Sequence, residues 1–71
     1  MYYVTMKSDK RVSLLLGPFA TMDEAQALVR PARDEAIRLD GYNHFNAFGV
    51  SRLQDNQPVP HQGVLNTRMG Y

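Results

Sequence analysis

One stretch, residues 17–25 with the sequence GPFATMDEA, divides the chain into a strand-forming part and a helix-forming part. Pro18 has no amide donor for a sheet ladder and Gly17 permits a turn, so a strand must end here. Thr21 and Glu24 have the spacing of a capping box. In that motif the threonine hydroxyl accepts from the amide three residues on, and the glutamate returns to the threonine amide. The stretch therefore predicts a strand end, a short turn and a helix start.

The residues before this turn predict a β-hairpin. Residues 2–7 are rich in aromatic and β-branched side chains, and residues 11–16 continue the strand pattern. Residues 8–10, Ser-Asp-Lys, form a polar connection that is short enough for a hairpin. Because side chains alternate between the two faces of a strand, this pattern also predicts which residues share a face.

A helix is predicted from about Met22 to Leu39. Apolar residues recur in it at three- and four-residue steps and form one stripe, which comprises Ala25, Leu28, Val29, Ala32, Ala36 and Leu39. Pro31 removes an amide donor and crowds the carbonyl of Ala27, which predicts a kink or a break. Since the apolar period continues across the proline, one kinked helix is favoured over two separate helices.

The remaining residues complete the predicted fold. Residues 45–53 are typical of a third strand, and the polar, Pro-bearing residues that follow predict a flexible tail whose last residues fray. Within the tail, residues 63–66 are expected either to add a short edge strand or to dock on the core. The fold class is therefore α+β, with ββαβ order. A three-stranded antiparallel sheet of order 2-1-3 carries the helix on one face, in a domain of residues 1–53 with a tail of residues 54–71.

Composition excludes several functional classes and leaves the oligomeric state open. The chain has 71 residues and no cysteine, which excludes disulfides and thiolate zinc sites. Eight Lys plus Arg balance seven Asp plus Glu, which argues against a strong sequence-independent hold on phosphate backbones. So short a chain gains little stability from its core alone, and a homodimer is as compatible with the sequence as a monomer. No apolar run is long enough to span a membrane, and no signal-peptide pattern is present, so a cytoplasmic location is expected.

The residue types used in catalysis are present without a known catalytic arrangement. The chain has two histidines, His44 and His61, and no nucleophile–base signature. Together with Asp40 and Asp55 they form no ligand spacing typical of a metal site. We therefore expect a protein that is not an enzyme, with no catalytic residues, no bound metal and no cofactor.

Two binding surfaces are the alternatives to catalysis. The sheet face away from the helix is partly apolar, and an uncovered apolar sheet face in a small protein indicates an interface. The candidate protein-binding residues lie on this face and in the adjoining loop: Tyr3, Thr5, Ser13, Leu15, Tyr42, His44 and Phe45. The other hypothesis is a single-stranded nucleic-acid binder, in which a sheet tyrosine stacks on a base beside basic residues. Its candidate residues are Tyr3, Lys7, Lys10, Arg11 and Arg52.

A local resemblance accompanies the Gly-Pro turn. Gly17-Pro18-Phe19 followed by Ala25 is similar to the G-P-F-x-x-x-x-x-A element of the peptidoglycan-binding SPOR domains, where it also links a strand to a helix. That family has a helix between its first two strands, whereas this chain has three turn residues there.

The wider layout resembles short proteins encoded by bacteriophages and prophages. The resemblance runs through residues 2–5, 15–19, 48–53 and 63–65 and the Ala- and Arg-rich helix between them. Small phage proteins commonly bind a host complex, such as RNA polymerase or a defence assembly, and alter it sterically. The resemblance therefore implies a phage-encoded accessory protein that binds and modulates a host protein complex, for instance in transcription, in the host cytoplasm.

Overall fold

The computed structural model describes residues 1–9, 11–53 and 62–71. Its elements, in chain order, are β1 (Tyr2–Ser8), β2 (Arg11–Phe19), α1 (Met22–Ala27), α2 (Val29–Leu39), a 3₁₀ turn (Gly41–Phe45), β3 (Ala47–Arg52) and α3 (Asn66–Met69). The three strands form an antiparallel sheet of order β2-β1-β3. The predicted α+β class, the strand order and the antiparallel pairing are confirmed.

A β-bulge interrupts the hairpin. Val4 pairs with Leu16, and the next residue of β1, Thr5, pairs with Leu14, so Leu15 is an extra residue in β2. Residues that pair across an antiparallel ladder lie on the same face of the sheet. Leu14 and Leu16 therefore lie on opposite faces, although strict alternation along β2 would place them together.

The bulge also moves one predicted binding residue to the other face. Ser13 pairs with Met6, which packs against the core beneath the helices. Val12 pairs with Lys7 and so faces away from the helices. The prediction that Ser13 shares a face with Tyr3 is wrong, because the extra residue in β2 reverses the alternation between them.

The start of α1 has the predicted hydroxyl cap, but the glutamate does not return to the threonine amide as the predicted capping box requires. The hydroxyl of Thr21 accepts from the Glu24 amide at 3.2 Å, which satisfies one of the unpaired donors of the first turn. The same hydroxyl donates to the Glu24 carboxylate at 3.1 Å, so the side chains also contact each other. This local cap places the helix start where the sequence predicts it.

Two helices stand where the sequence predicts one kinked helix. The helices α1 and α2 are separated at Leu28, whose φ and ψ are −103° and 2°. Pro31 lies at the third position of α2, where a missing amide donor leaves no hydrogen bond unmade. Within a continuous helix its ring would crowd the carbonyl of Ala27, and the break one turn earlier removes that conflict. The preference for one kinked helix is therefore corrected.

The core lies between the sheet and the helices on one face. Val4 and Leu16 are fully buried beneath the small side chains of α1 and α2. Alanine at these helix positions lets a helix backbone lie close to the sheet, so a short chain can bury its central strands. The buried apolar cluster comprises Val4, Leu15, Leu16, Ala25, Ala32, Ala36 and Leu65.

The end of the chain folds back onto the outer edge of β2. The amides of Val64 and Leu65 donate to the carbonyls of Leu14 and Leu15 at 2.9 and 2.8 Å. Leu65 is buried in the core, and the described residues 62–71 contain the helix α3 and no strand. The final residues, which were expected to fray, include α3. Residues 54–61 of the predicted tail lie outside the described residues.

Candidate protein-binding surface

The sheet face away from the helices is not the open apolar surface that the sequence predicts. Tyr3 is 2% exposed and Thr5 is 7% exposed, and Leu15 at the bulge is also buried. A Cβ at Gly17 would lie 2.6 Å from Cδ2 of Tyr3, so this ring packs directly on the glycine backbone. Burial raises the pKa of the Tyr3 hydroxyl. These three predicted contact residues are buried in the folded chain.

The predicted nucleic-acid residues do not converge on one surface. Lys7 and Arg11 are exposed near the hairpin end, whereas Arg52 pairs with Tyr2 at the opposite end of β1. Five residue steps along a strand separate these ends by about 17 Å. Lys10 lies outside the described residues. With Tyr3 buried, the predicted stacking residue is not available on the surface.

The predicted loop residues form a compact aromatic surface on the 3₁₀ turn. Tyr42 and Phe45 are 80% and 82% exposed, and their ring centroids lie 6.2 Å apart. His44 lies edge-on to Phe45, with a centroid distance of 5.7 Å. Residues three apart in a 3₁₀ helix lie on the same side, which brings the two rings together. We call Tyr42, His44 and Phe45 the aromatic turn.

Polar side chains hold the backbone of the aromatic turn. The Asp40 carboxylate accepts from the Tyr42 amide at 3.0 Å and caps the turn. The Asn43 side chain donates to the carbonyl of Ala36 in α2 at 2.7 Å, and Asn46 donates to the Asn43 side-chain oxygen at 3.1 Å. The side chains of Asn43 and Asn46 therefore hold the turn against α2, while the rings of Tyr42 and Phe45 face solvent.

This arrangement inverts the usual placement of polar and aromatic side chains. Burying a large apolar side chain stabilises a fold by about 1.5–3 kcal/mol, and the aromatic turn forgoes that gain at Tyr42 and at Phe45. Leu39, the last residue of α2 and two residues before the 3₁₀ turn, is also exposed. Clustered exposed apolar side chains mark interaction surfaces.

Sequence reasoning found the aromatic residues of this surface and missed the residues that position them. Leu39 belongs to the predicted apolar stripe of the helix, yet it is exposed at the end of α2. The roles of Asn43 and Asn46 were not predicted, because each depends on a partner in another element. Asp40 has a recognisable local signal, because an Asp side chain typically accepts a hydrogen bond from the backbone amide two residues later and so caps a turn.

A charge cluster beside the core joins the last helix to α2. Glu35 accepts from Arg38 in its own helix and from Nε of Arg68 in α3 at 3.0 Å. The pKa of the Glu35 carboxyl is lowered, first by the hydrogen bond from Arg38 and further by the charge of Arg38 and by Arg68. These charges contact each other, so they serve the fold rather than a ligand.

The described residues contain no group of three or more His, Asp or Glu side chains that could hold a metal ion. Of the four residues weighed as ligands, Asp55 and His61 lie outside that part of the chain.

No helix among the described residues is long and apolar enough to cross a membrane. Comparisons of the chain with protein-family models, with curated proteins and with solved structures find no match.

Proposed function

We propose that this chain is a non-enzymatic interaction module that binds a protein partner through the aromatic turn. The observation that carries the proposal is the exposure of Tyr42 and Phe45 on a turn whose backbone is fixed by hydrogen bonds. Aromatic anchors supply much of the binding energy at protein interfaces, where they fill pockets of the partner. A turn that is already ordered loses little conformational entropy when it binds.

The chemistry of the turn defines the partner surface. Two adjacent rings require a concave apolar pocket, and the Tyr42 hydroxyl requires a hydrogen-bond acceptor at its rim. His44, edge-on to Phe45, supplies a polar group at the border of the contact. The partner is therefore a folded protein with an apolar cleft and polar edges.

The finer proposal is that the chain is phage-encoded and that its partner is a host protein complex. RNA polymerase and defence assemblies are examples of such complexes, and the chain would modulate one sterically in the host cytoplasm. Its support is the resemblance of the strand–turn–helix layout to small phage proteins. The exposed position of the aromatic turn is compatible with binding to a large assembly.

The test is affinity capture from bacterial lysate, with and without nuclease, read by mass spectrometry. The wild-type chain is compared with a Tyr42→Ser, Phe45→Ser double variant and with Val64→Ser. Val64 is exposed and distant in sequence from the turn, so it serves as the matched apolar control. We expect a nuclease-resistant partner that the control retains and the double variant captures at least about tenfold less. Equal capture by the double variant would contradict the proposal.

Single-stranded nucleic acid is the alternative partner. Lys7 and Arg11 are exposed and could contact its phosphates, but Tyr3 is buried, which weakens the case for base stacking. Loss of every captured protein after nuclease treatment would favour this alternative. So would direct binding to a single strand that weakens steeply as salt rises, because phosphate contacts release counterions.

A further inference from the structure

The strand β3 lies at one edge of the sheet, and its hydrogen-bond pattern identifies which backbone groups face outward. Met1 and Leu53 exchange both backbone hydrogen bonds, at 2.9 and 3.3 Å. Hydrogen-bonded and non-hydrogen-bonded pairs alternate along an antiparallel ladder, and the register from Tyr2–Arg52 onward is regular. The inward-facing backbone groups of β3 therefore belong to Ala47, Gly49 and Ser51.

The outward-facing amides and carbonyls belong to the alternate residues of β3: Phe48, Val50 and Arg52. Among the residues that the structure describes, none pairs with these groups. An edge strand with unpaired backbone groups is a template for another strand. Proline, bulges and charged side chains usually prevent an edge strand from pairing with another strand. The strand β3 has no proline, no bulge against β1 and a charge only at its last residue.

This edge is complementary to itself. When two copies of β3 run antiparallel with Val50 opposite Val50, Phe48 of each copy lies opposite Arg52 of the other. All three outward residues then form hydrogen-bonded pairs, which gives about six new hydrogen bonds. On the far side of the sheet Gly49 lies opposite Ser51 of the other copy, and both residues are small enough to pass without a clash.

Charge favours this antiparallel pairing over a parallel pairing of the two β3 strands in register. A parallel pairing in register would place Arg52 beside Arg52 of the other copy, and like charges directly opposite destabilise a sheet. The antiparallel pairing places each guanidinium beside an aromatic ring instead. Phe48 already accepts such a contact within the chain, because the guanidinium of Arg33 lies 5.9 Å from its ring centroid.

We propose that the chain forms a homodimer by antiparallel pairing of two β3 strands about Val50. The two three-stranded sheets then join into one continuous sheet with the helices of both copies on the same face. The dimer forms through β3, whereas the aromatic turn is the separate element that precedes it. It also covers the edge that so small a domain would otherwise expose.

The first test removes one outward amide by chemical synthesis of the chain with N-methylated Val50. The methyl group removes a donor that does not bond to β1, and the valine side chain stays in place. We expect sedimentation velocity, from micromolar to millimolar concentrations, to show a concentration-dependent dimer of the unmodified chain. The N-methylated chain should associate at least about a hundredfold more weakly, because two symmetric hydrogen bonds are lost.

A recombinant pair of variants tests the side-chain part of the proposal. Arg52→Ser removes the cation beside Phe48 without placing a carboxylate near Arg33, and it should weaken the dimer about tenfold through two symmetric contacts. Arg30→Ser makes the same change on the exposed side of α2 and should leave the dimer unchanged. The Tyr42→Ser, Phe45→Ser variant should also dimerise normally, which separates this interface from the aromatic turn.

Hydrogen exchange provides a readout that does not depend on substitution. In the dilute monomer, the amides of Gly49 and Ser51 should be protected and those of Phe48, Val50 and Arg52 should exchange quickly. At dimer-forming concentrations the second set should also become protected. A chain that stays monomeric at millimolar concentration would overturn the proposal. A dimer that is insensitive to N-methylation, or whose outward amides still exchange quickly, would also overturn it, as would association with another protein's strand in place of a second copy.

Discussion

Asn66 pairs with Gly17 as a neighbouring strand would. Its side-chain oxygen accepts from the Gly17 amide at 3.0 Å, and its Nδ2 donates to the Gly17 carbonyl. Asn66 is itself buried and contacts both backbone groups of Gly17, whose carbonyl also accepts from the Gly63 amide at 3.3 Å. The contact fastens the start of α3 to the end of β2.

Replacing Asn66 by Asp should destabilise the fold. A carboxylate keeps the acceptor for the Gly17 amide, but it replaces one donor to the Gly17 carbonyl by an oxygen that repels it, and it buries a charge. We expect the free energy of unfolding to fall by about 2–4 kcal/mol, measured by urea denaturation. The exposed neighbour Thr67 provides the control, since Thr67→Ala should change that free energy by at most about 0.5 kcal/mol. Equal effects of the two substitutions would show that the paired contacts contribute nothing.

Gly17→Ala should destabilise the chain for a steric reason. Gly17 has a φ of +137°, and a Cβ there would lie 2.6 Å from Cδ2 of the buried Tyr3 ring. The expected loss is about 2–4 kcal/mol, from backbone strain and overpacking together. Gly41→Ala is the matched control, because open space surrounds that position and its φ is not positive. It should leave the thermal midpoint unchanged or raise it, and a lower midpoint for Gly41→Ala than for Gly17→Ala would contradict the argument.

The aromatic turn should contribute little to folding. Phe45→Ser is expected to change the free energy of unfolding by at most about 0.5 kcal/mol, because the ring is exposed. Phe19→Ser should reduce it by about 2–4 kcal/mol, since Phe19 packs on the core and lies edge-on to Tyr71. Parallel urea titrations of the two variants make the comparison. A large loss for Phe45→Ser would mean that the turn serves the fold and not a partner.

Stability should decrease at acid pH through Glu35. Its pKa is lowered in the folded chain by the hydrogen bond from Arg38 and by Arg68, so the folded state favours the ionised carboxylate. The resulting stabilisation is fully present above the pKa that this carboxyl has in the unfolded chain. It is lost as the pH falls through the lower pKa that the carboxyl has in the folded chain. Urea midpoints measured against pH should therefore show wild type and Glu35→Gln converging towards low pH. A difference that stayed constant across the acid range would exclude an ionic origin.

Most of the fold could be predicted from patterns of residues that are close in sequence. The hairpin, the cap at Thr21 and the end of the helix at Leu39 each depend on residues close in sequence, and the structure has all three. Pro31 predicts a kink or a break and the apolar period favours a kink, whereas the structure has a break at Leu28, because the crowding caused by Pro31 acts one turn earlier in the chain.

The features that sequence reasoning missed depend on distant residues. The bulge at Leu15 shifts the register by one position, and period-two alternation has no signal for such a shift. Tyr3 was assigned to an open face, although it is buried beside Gly17. Leu65 and Asn66 act through contacts with β2, about fifty residues earlier in the chain, and such pairings have no short-range pattern.

The late position of Leu65 has a consequence for biosynthesis. The hairpin of β1 and β2 can form as soon as it leaves the ribosome, but the carbonyls of Leu14 and Leu15 meet their partners only after Val64 and Leu65 have been added. The nascent chain therefore completes this core only after Leu65 has left the ribosome. A chain arrested on the ribosome before Leu65 should remain sensitive to protease, whereas the released chain should resist it.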